Sequence, residues 1–267
     1  MPHLYHHGAG DLPVFWLHGT PNTGEPPAPL FAESDRLGLR WIGYDRPGYP
    51  GRPRVPGRDV ASAVDDVRRI ADELGLDRFA VFGHSSGGEY ALACAARLPD
   101  RVTAAVAISS PAPYGASGLD WFAGMRTPDS LRAAVAGRAA KEAYEASPDG
   151  DAADVPFTPE DWAALQGSWS WFGPVVGAAL ADGKDGLIDD DLATVAPWGF
   201  DVADIAVPVL IVHGAADEMV PASHGAWLAA HCPTAELRIV PDAGHISVLA
   251  EAPAALDWLS VLQRRDG

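Results

Sequence analysis

This sequence predicts an α/β fold: a mostly parallel sheet wound on both faces by helices. Three observations lead there. Short apolar runs alternate with amphipathic stretches along the chain, the signature of parallel strands joined by helical crossovers. Several of these runs are apolar at successive positions, as strands buried on both faces must be. From Pro111 to about Pro197 the alternation stops, and a stretch of that length is expected to be an inserted helical subdomain rather than a structureless loop. The expected organisation is a core of residues 1–110 and 198–267 interrupted by a helical insertion, 111–197, in a chain of 267 residues that suffices for one large core.

The expected elements follow in chain order. Met1 to His7 has neither the basic start nor the apolar stretch of a signal peptide, and reads as an N-terminal strand with exposed histidines. His3, His6 and His7 are assigned no metal. Strands are expected at Leu12–Leu17, Arg40–Tyr44, Phe79–Phe82, Thr103–Ile108, Val207–Val212 and Glu236–Val240. Val60, Val64, Val67, Ala71 and Leu74 recur at helical spacing and predict a crossover helix that stops at Gly75. A helix from Ser86 to Arg97 follows the third of these strands. Leu228 with its neighbours, and Leu256, Leu259 and Leu262, predict two more helices against the sheet. Within the insertion, Ser130 to Ala146 reads as an alanine-rich helix, and Pro159 to Trp171 as another capped by Thr158. Trp121, Trp162, Trp169, Trp171 and Trp198 are expected to pack the insertion's own core, with one or two lining a pocket.

Charge and cysteine content narrow the function. A net charge of −17 argues against a nucleic-acid partner, because phosphate binding needs clustered Lys and Arg. The acidity is expected to be solvated surface, Asp189-Asp190-Asp191 included. No long uncharged apolar segment is present to span a bilayer, so no membrane partner is expected. Cys94 and Cys232 show no disulfide spacing, and reduced thiols in a cytoplasmic setting fit them better. No motif calls for a cofactor or specifies an oligomeric state.

The chemistry is written at strand ends. Gly83-His84-Ser85-Ser86-Gly87 closes an apolar run, and its glycines allow a sharp strand-to-helix turn that leaves Ser85 projecting alone. The helix that follows aims its first amides and partial positive charge at the same spot, which suits an oxyanion. A serine hydroxyl is a weak nucleophile and needs a base oriented by an acid. Asp217 stands in a turn after one later strand and His245 in a turn after the next. In a parallel sheet those ends converge on one edge.

The order Ser85, Asp217, His245, with this elbow, resembles the α/β-hydrolases. Leu17-His18-Gly19-Thr20-Pro21 looks like that family's oxyanion-hole loop, and Tyr44-Asp45-Arg46-Pro47-Gly48-Tyr49 like its Asp-Arg-Pro-Gly turn. The resemblance implies an α/β-hydrolase fold with a helical cap, catalysis by Ser85, Asp217 and His245, and an oxyanion hole of the Thr20 and Ser86 backbone amides. It implies a bracing role for Asp45 and Arg46 and structural roles for His18 and His213. Glu218 is the adjacent alternative acid; Ser109 to Pro113 contains no carboxylate to serve from the preceding strand. A serine nucleophile excludes haloalkane dehalogenases and epoxide hydrolases, which need a carboxylate there.

The implied activity is that of a carboxylesterase acting on a small ester, thioester or lactone. The second reading is a proline-iminopeptidase-like amidase, whose substrate amine would need acidic cap residues such as Glu142, Glu145, Asp149, Asp151, Asp154, Glu160 or Asp161, all otherwise expected on the solvated surface. Perhydrolysis and cyanohydrin cleavage use the same triad. A receptor that binds or slowly turns over a small ligand is the reading from another class.

Overall fold

A computed structural model describes residues 3–151 and 155–265. Seven strands form one sheet: β1 (Leu4–His7), β2 (Leu12–Leu17), β3 (Leu39–Tyr44), β4 (Phe79–His84), β5 (Val102–Ile108), β6 (Val209–Gly214) and β7 (Ala235–Val240). Their spatial order is β1-β3-β2-β4-β5-β6-β7. All neighbours are parallel except β1, which pairs antiparallel with β3 through Leu4–Tyr44 to His7–Trp41. β3 lies on one side of β2 and β4 on the other, so the connections change direction at β2 and β4. A crevice opens at the C-terminal strand ends at such a point.

Helices α1 (Phe31–Leu37) and α11 (Ala252–Arg265) cover one face; α2 (Ala63–Glu73), α3 (Ser86–Arg97) and α10 (Ala222–His231) cover the other. β4, β5 and β6 are buried at every position, which accounts for their largely apolar sequences. Leu256 and Leu259 of α11 are fully buried, each contributing about 1.5–3 kcal/mol by leaving water. No helix among the described residues is long and apolar enough to cross a membrane.

Local departures from the sequence reading have local causes. Val64, Val67 and Ala71 face the core as expected, but the inward face continues through Ile70 and not Leu74, which is 37% exposed. The helix ends at Glu73, and Gly75 at φ 64° turns the chain so that Leu76 enters the core instead.

Among the described residues between Pro111 and Pro197 lie six helices: α4 (Asp129–Val135), α5 (Arg138–Glu145), α6 (Pro148–Asp151), α7 (Pro159–Gln166), α8 (Phe172–Ala179) and α9 (Asp185–Val195). The single helix expected over Ser130–Ala146 is two, because Gly137 at φ 100° breaks it. Thr158 does cap α7, in a reciprocal box with Asp161, but that helix stops at Gln166. The tryptophans do not form a separate core. Trp169 and Phe172 join the α1/α11 side of the sheet, Trp198 joins the α2/α3 side, and Trp171 meets Trp16 edge-on at 6.2 Å. Trp162 is 42% exposed.

Candidate active site

Ser85 stands between β4 and α3 at φ 58°, ψ −133°, with its N–H donating to the Ile108 carbonyl at 2.8 Å. The flanking glycines are steric necessities. A Cβ on Gly83 would lie 2.1 Å from the Gly87 carbonyl oxygen, and one on Gly87 would lie 2.0 Å from that of Leu17. Backbone thus crowds the turn on both sides, and only the serine side chain has room to project.

Asp217 and His245 meet at this edge. His245 Nδ1 donates to Asp217 Oδ2 at 2.8 Å, while Asp217 Oδ1 accepts from the Met219 and Val220 amides at 2.9 and 2.8 Å. Burial opposes the charge on Asp217, but His245 beside it, with these bonds, holds its carboxyl below the ordinary range. Glu218 points elsewhere, to Arg126 at 3.0 Å. With Nδ1 protonated toward Asp217, His245 presents Nε2 as an acceptor. Ser85 and His245 line one cavity.

Thr20 follows β2, beside the elbow. Ser86 opens α3, so its N–H has no helical acceptor four residues back. Their side chains are joined as well: Thr20 Oγ1 lies 2.7 Å from Ser86 Oγ and donates to Asp190 Oδ2 at 2.6 Å. Asp190 is the centre of a buried ionic cluster. It accepts from Arg46 Nε (3.1 Å), Tyr49 (2.6 Å), Tyr90 (3.1 Å) and Arg58. Arg46 also donates to the carbonyls of His18 and Gly19. Burial opposes ionisation of Asp190, yet Arg46 and Arg58 hold its carboxyl far below the ordinary range.

The Asp189-Asp190-Asp191 run is therefore not solvated surface. Asp190 is fully buried, Asp189 is 4% exposed against Arg54 and Arg138, and Asp191 is half-buried with Lys141 Nζ 2.6 Å away. Cations brought from other elements draw the run inward.

Asp161 is a second correction. It is fully buried and supports the histidine turn: Oδ1 accepts from the Ile246 and Ser247 amides (2.9 and 2.7 Å) and from Ser247 Oγ (2.8 Å). Oδ2 accepts from the His245 amide (3.1 Å) and that of Thr158 (3.0 Å). Burial works against its charge and these donors for it, leaving the carboxyl below its ordinary range. The one sequence signal for this role was the spacing Thr158-x-x-Asp161. Glu145, likewise expected at the surface, is 8% exposed and paired with Lys141 at 2.6 Å. Asp154 and the side chain of Asp151 lie outside the described residues.

Three of the other buried histidines hold loops through backbone carbonyls. His18 Nδ1 donates to Gly19 O (2.8 Å), His84 Nε2 to His245 O (2.9 Å) and His213 Nε2 to Val220 O (2.7 Å). Burial lowers all three, with Arg46 adding to the effect at His18 and His245 at His84, which falls to about 3.

Two cavities of about 220 Å³ each meet at Thr20, Pro21, Ser85 and Met219. The first extends over Trp121, Met125, Leu131 and Leu187, and Glu89, Ser130, Asp191 and Thr194 are also among its lining residues. The second runs past His245 to Phe157, Phe172, Val176 and Ile246.

Residues 4–257 match the alpha/beta hydrolase family, and the chain belongs to it. It is similar to the dihydrolipoyllysine-residue acetyltransferase component of the acetoin cleaving system of Cupriavidus necator, at 28% identity over 79% of this chain and 53% of that protein, so it spans about half that relative's length. The non-heme chloroperoxidase of Streptomyces lividans is 32% identical over 79% of this chain and 76% of its own. The pimeloyl-[acyl-carrier protein] methyl ester esterase of Nitrosomonas europaea is 29% identical over 81% of both. Among solved structures, a thermophilic esterase from Thermogutta terrifontis shares the fold with a TM-score of 0.70 at 21% identity, over 98% of this chain and 93% of that one.

Proposed function

We propose that this chain is a serine esterase that cleaves a small carboxylic ester, thioester or lactone through an acyl-enzyme on Ser85. The observation that carries the reading is the 2.8 Å bond from His245 Nδ1 to Asp217, with His245 and Ser85 on one cavity wall. His245 Nε2 takes the Ser85 proton as Oγ attacks the carbonyl carbon. Asp217 holds the tautomer and stabilises the imidazolium that forms. The Thr20 and Ser86 amides donate to the tetrahedral oxyanion, a contribution of about 2.7–4 kcal/mol per donor in comparable sites. Collapse expels the alcohol, which recovers the proton from His245; water, activated by the same nitrogen, then releases the acid.

Residues 111–197 act as the cap in this reading, and a cytoplasmic setting belongs to it. A methyl ester esterase among the relatives supports the ester class. The amidase alternative loses ground on the carboxylates named for it, and Asp191, the insertion's acid that does line the first cavity, is engaged by Lys141. Glu142 pairs with Arg138 (2.7 Å), Glu145 with Lys141, and Asp161 with the histidine turn, while none of Glu142, Glu145, Asp149, Glu160 and Asp161 lines either cavity.

The test is hydrolysis of short-chain p-nitrophenyl esters by wild type and Ser85→Ala. The expected result is steady turnover that falls by about 10⁴-fold or more in the variant. Equal rates in both would remove the nucleophile assignment, and one burst without turnover would favour a ligand receptor.

A further inference from the structure

We propose that the first cavity receives the acyl half of the substrate and that Glu89 makes it selective for acyl groups bearing an uncharged hydrogen-bond-accepting oxygen, such as a keto or hydroxyl group. The inference rests on the esterase reading for its direction. The leaving alcohol must take a proton from His245, and His245 lines the second cavity but not the first. The alcohol therefore departs through the second, apolar cavity, and the acyl chain occupies the first.

Glu89 sits one turn into α3, and helical side chains lean toward the N-terminus, so its carboxyl is carried back toward Ser85 on the same cavity wall. The residue is fully buried. Its Oε1 accepts from Thr194 Oγ1 at 2.8 Å, while its Oε2 has no hydrogen-bond partner among the described residues. A buried polar atom left unmatched in this way calls for a ligand.

The surroundings set the kind of ligand. Arg46 and Arg58 are engaged by Asp190, and Lys141 by Asp191 and Glu145. Burial, reinforced by Asp190 and Asp191, pushes the Glu89 carboxyl well above its ordinary range despite the Thr194 bond and the nearby charge of Arg46. Fully buried and with no cation paired to it among the described residues, the carboxyl is favoured as the protonated acid, whose O–H can donate from Oε2. It matches a neutral acceptor. A carboxylate on the substrate would face Asp191 across the same cavity, and an ammonium would require Glu89 to ionise against its burial. Glu89 follows Ser85 by four residues on the wall of the same cavity, and an acceptor on the fourth carbon of the acyl chain probes that reach.

Two isosteric substrates test this: methyl 4-oxopentanoate and methyl 4-methylpentanoate, compared by pH-stat at neutral pH. The wild type should prefer the oxo ester by about tenfold in kcat/KM, as one buried hydrogen bond implies. Glu89→Gln, which keeps an N–H donor, should retain most of that preference. Glu89→Met should erase it, a change in ratio that a merely structural role for Glu89 would not produce. Equal rates on the two esters in wild type would overturn the proposal. So would a preference for methyl 4-(trimethylammonio)butanoate that Glu89→Gln abolishes, which would mark an anionic subsite. Calorimetric binding of the two isosteres to Ser85→Ala protein reads the subsite without turnover, and about tenfold tighter binding of the oxo ester is expected. Absent hydrolysis with that difference present would count against the esterase reading alone; no difference in binding would sink the subsite.

Discussion

Two buried carboxylates flank Ser85 and do similar work by opposite means. Asp161 supports the histidine side, accepting from the amides of Thr158, His245, Ile246 and Ser247 and from the Ser247 hydroxyl. Asp190 supports the Thr20 side, accepting from two guanidinium groups, two phenols and Thr20 itself. The first is a charge solvated by peptide dipoles. The second is a charge solvated by other charges. Removing an acceptor from amides leaves unmet hydrogen bonds, whereas removing it from two buried cations leaves unmet charge, which costs more.

Asp190→Ala should therefore be the most damaging change, lowering unfolding free energy by about 3–5 kcal/mol. Urea denaturation measures it, and a loss no larger than that of Asp161→Ala would erase the contrast. Asp161→Ala should cost about 1–3 kcal/mol and also lower kcat, because the His245 turn loses its anchor while the elbow keeps its own. An unchanged kcat would detach Asp161 from the site.

Acid sharpens the same contrast. The folded carboxyl of Asp190 titrates far below the unfolded value of about 3.9, so its stabilisation is complete above that pH and is lost as pH falls through the range beneath it. Asp190→Asn should be less stable than wild type at neutral pH yet lose less stability between about pH 4 and pH 2. Parallel curves in that window would remove Asp190 from the acid response. The smallest effect expected is that of Thr158→Ala, about 0.5–2 kcal/mol, with kcat within about twofold, since it removes the α7 cap and leaves Asp161 on the histidine turn. A large fall in kcat would mean that the cap and the turn act as one unit.

What the sequence made legible were features with local causes. The strand ends carrying Thr20, Ser85, Asp217 and His245 could be placed because apolar runs and steric glycines act over a few residues. Asp190 could not, because its burial depends on Arg46 and Arg58, 144 and 132 residues away, and in an acidic chain a triple aspartate looks like surface. Asp161 was hidden behind its own helix cap, a role that accounted for it without the contacts to residues 245–247. Glu89 lay in plain view inside the expected helix, but nothing in its neighbours announced that one of its oxygens would be left without a partner. Gly137 was readable as a breaker, and the alanine-rich sequence around it masked the break.

The bond from Thr20 to Asp190 bears on how such a protein diverges or is engineered. Thr20 belongs to a loop on the sheet, while Asp190 belongs to α9, inside the helical segment between Pro111 and Pro197. A graft that replaced that segment wholesale, to borrow another protein's selectivity, would also remove the carboxylate on which the Thr20 loop leans. The segment is separable in sequence but not in electrostatics, and a functional chimera would have to carry Asp190 across the seam.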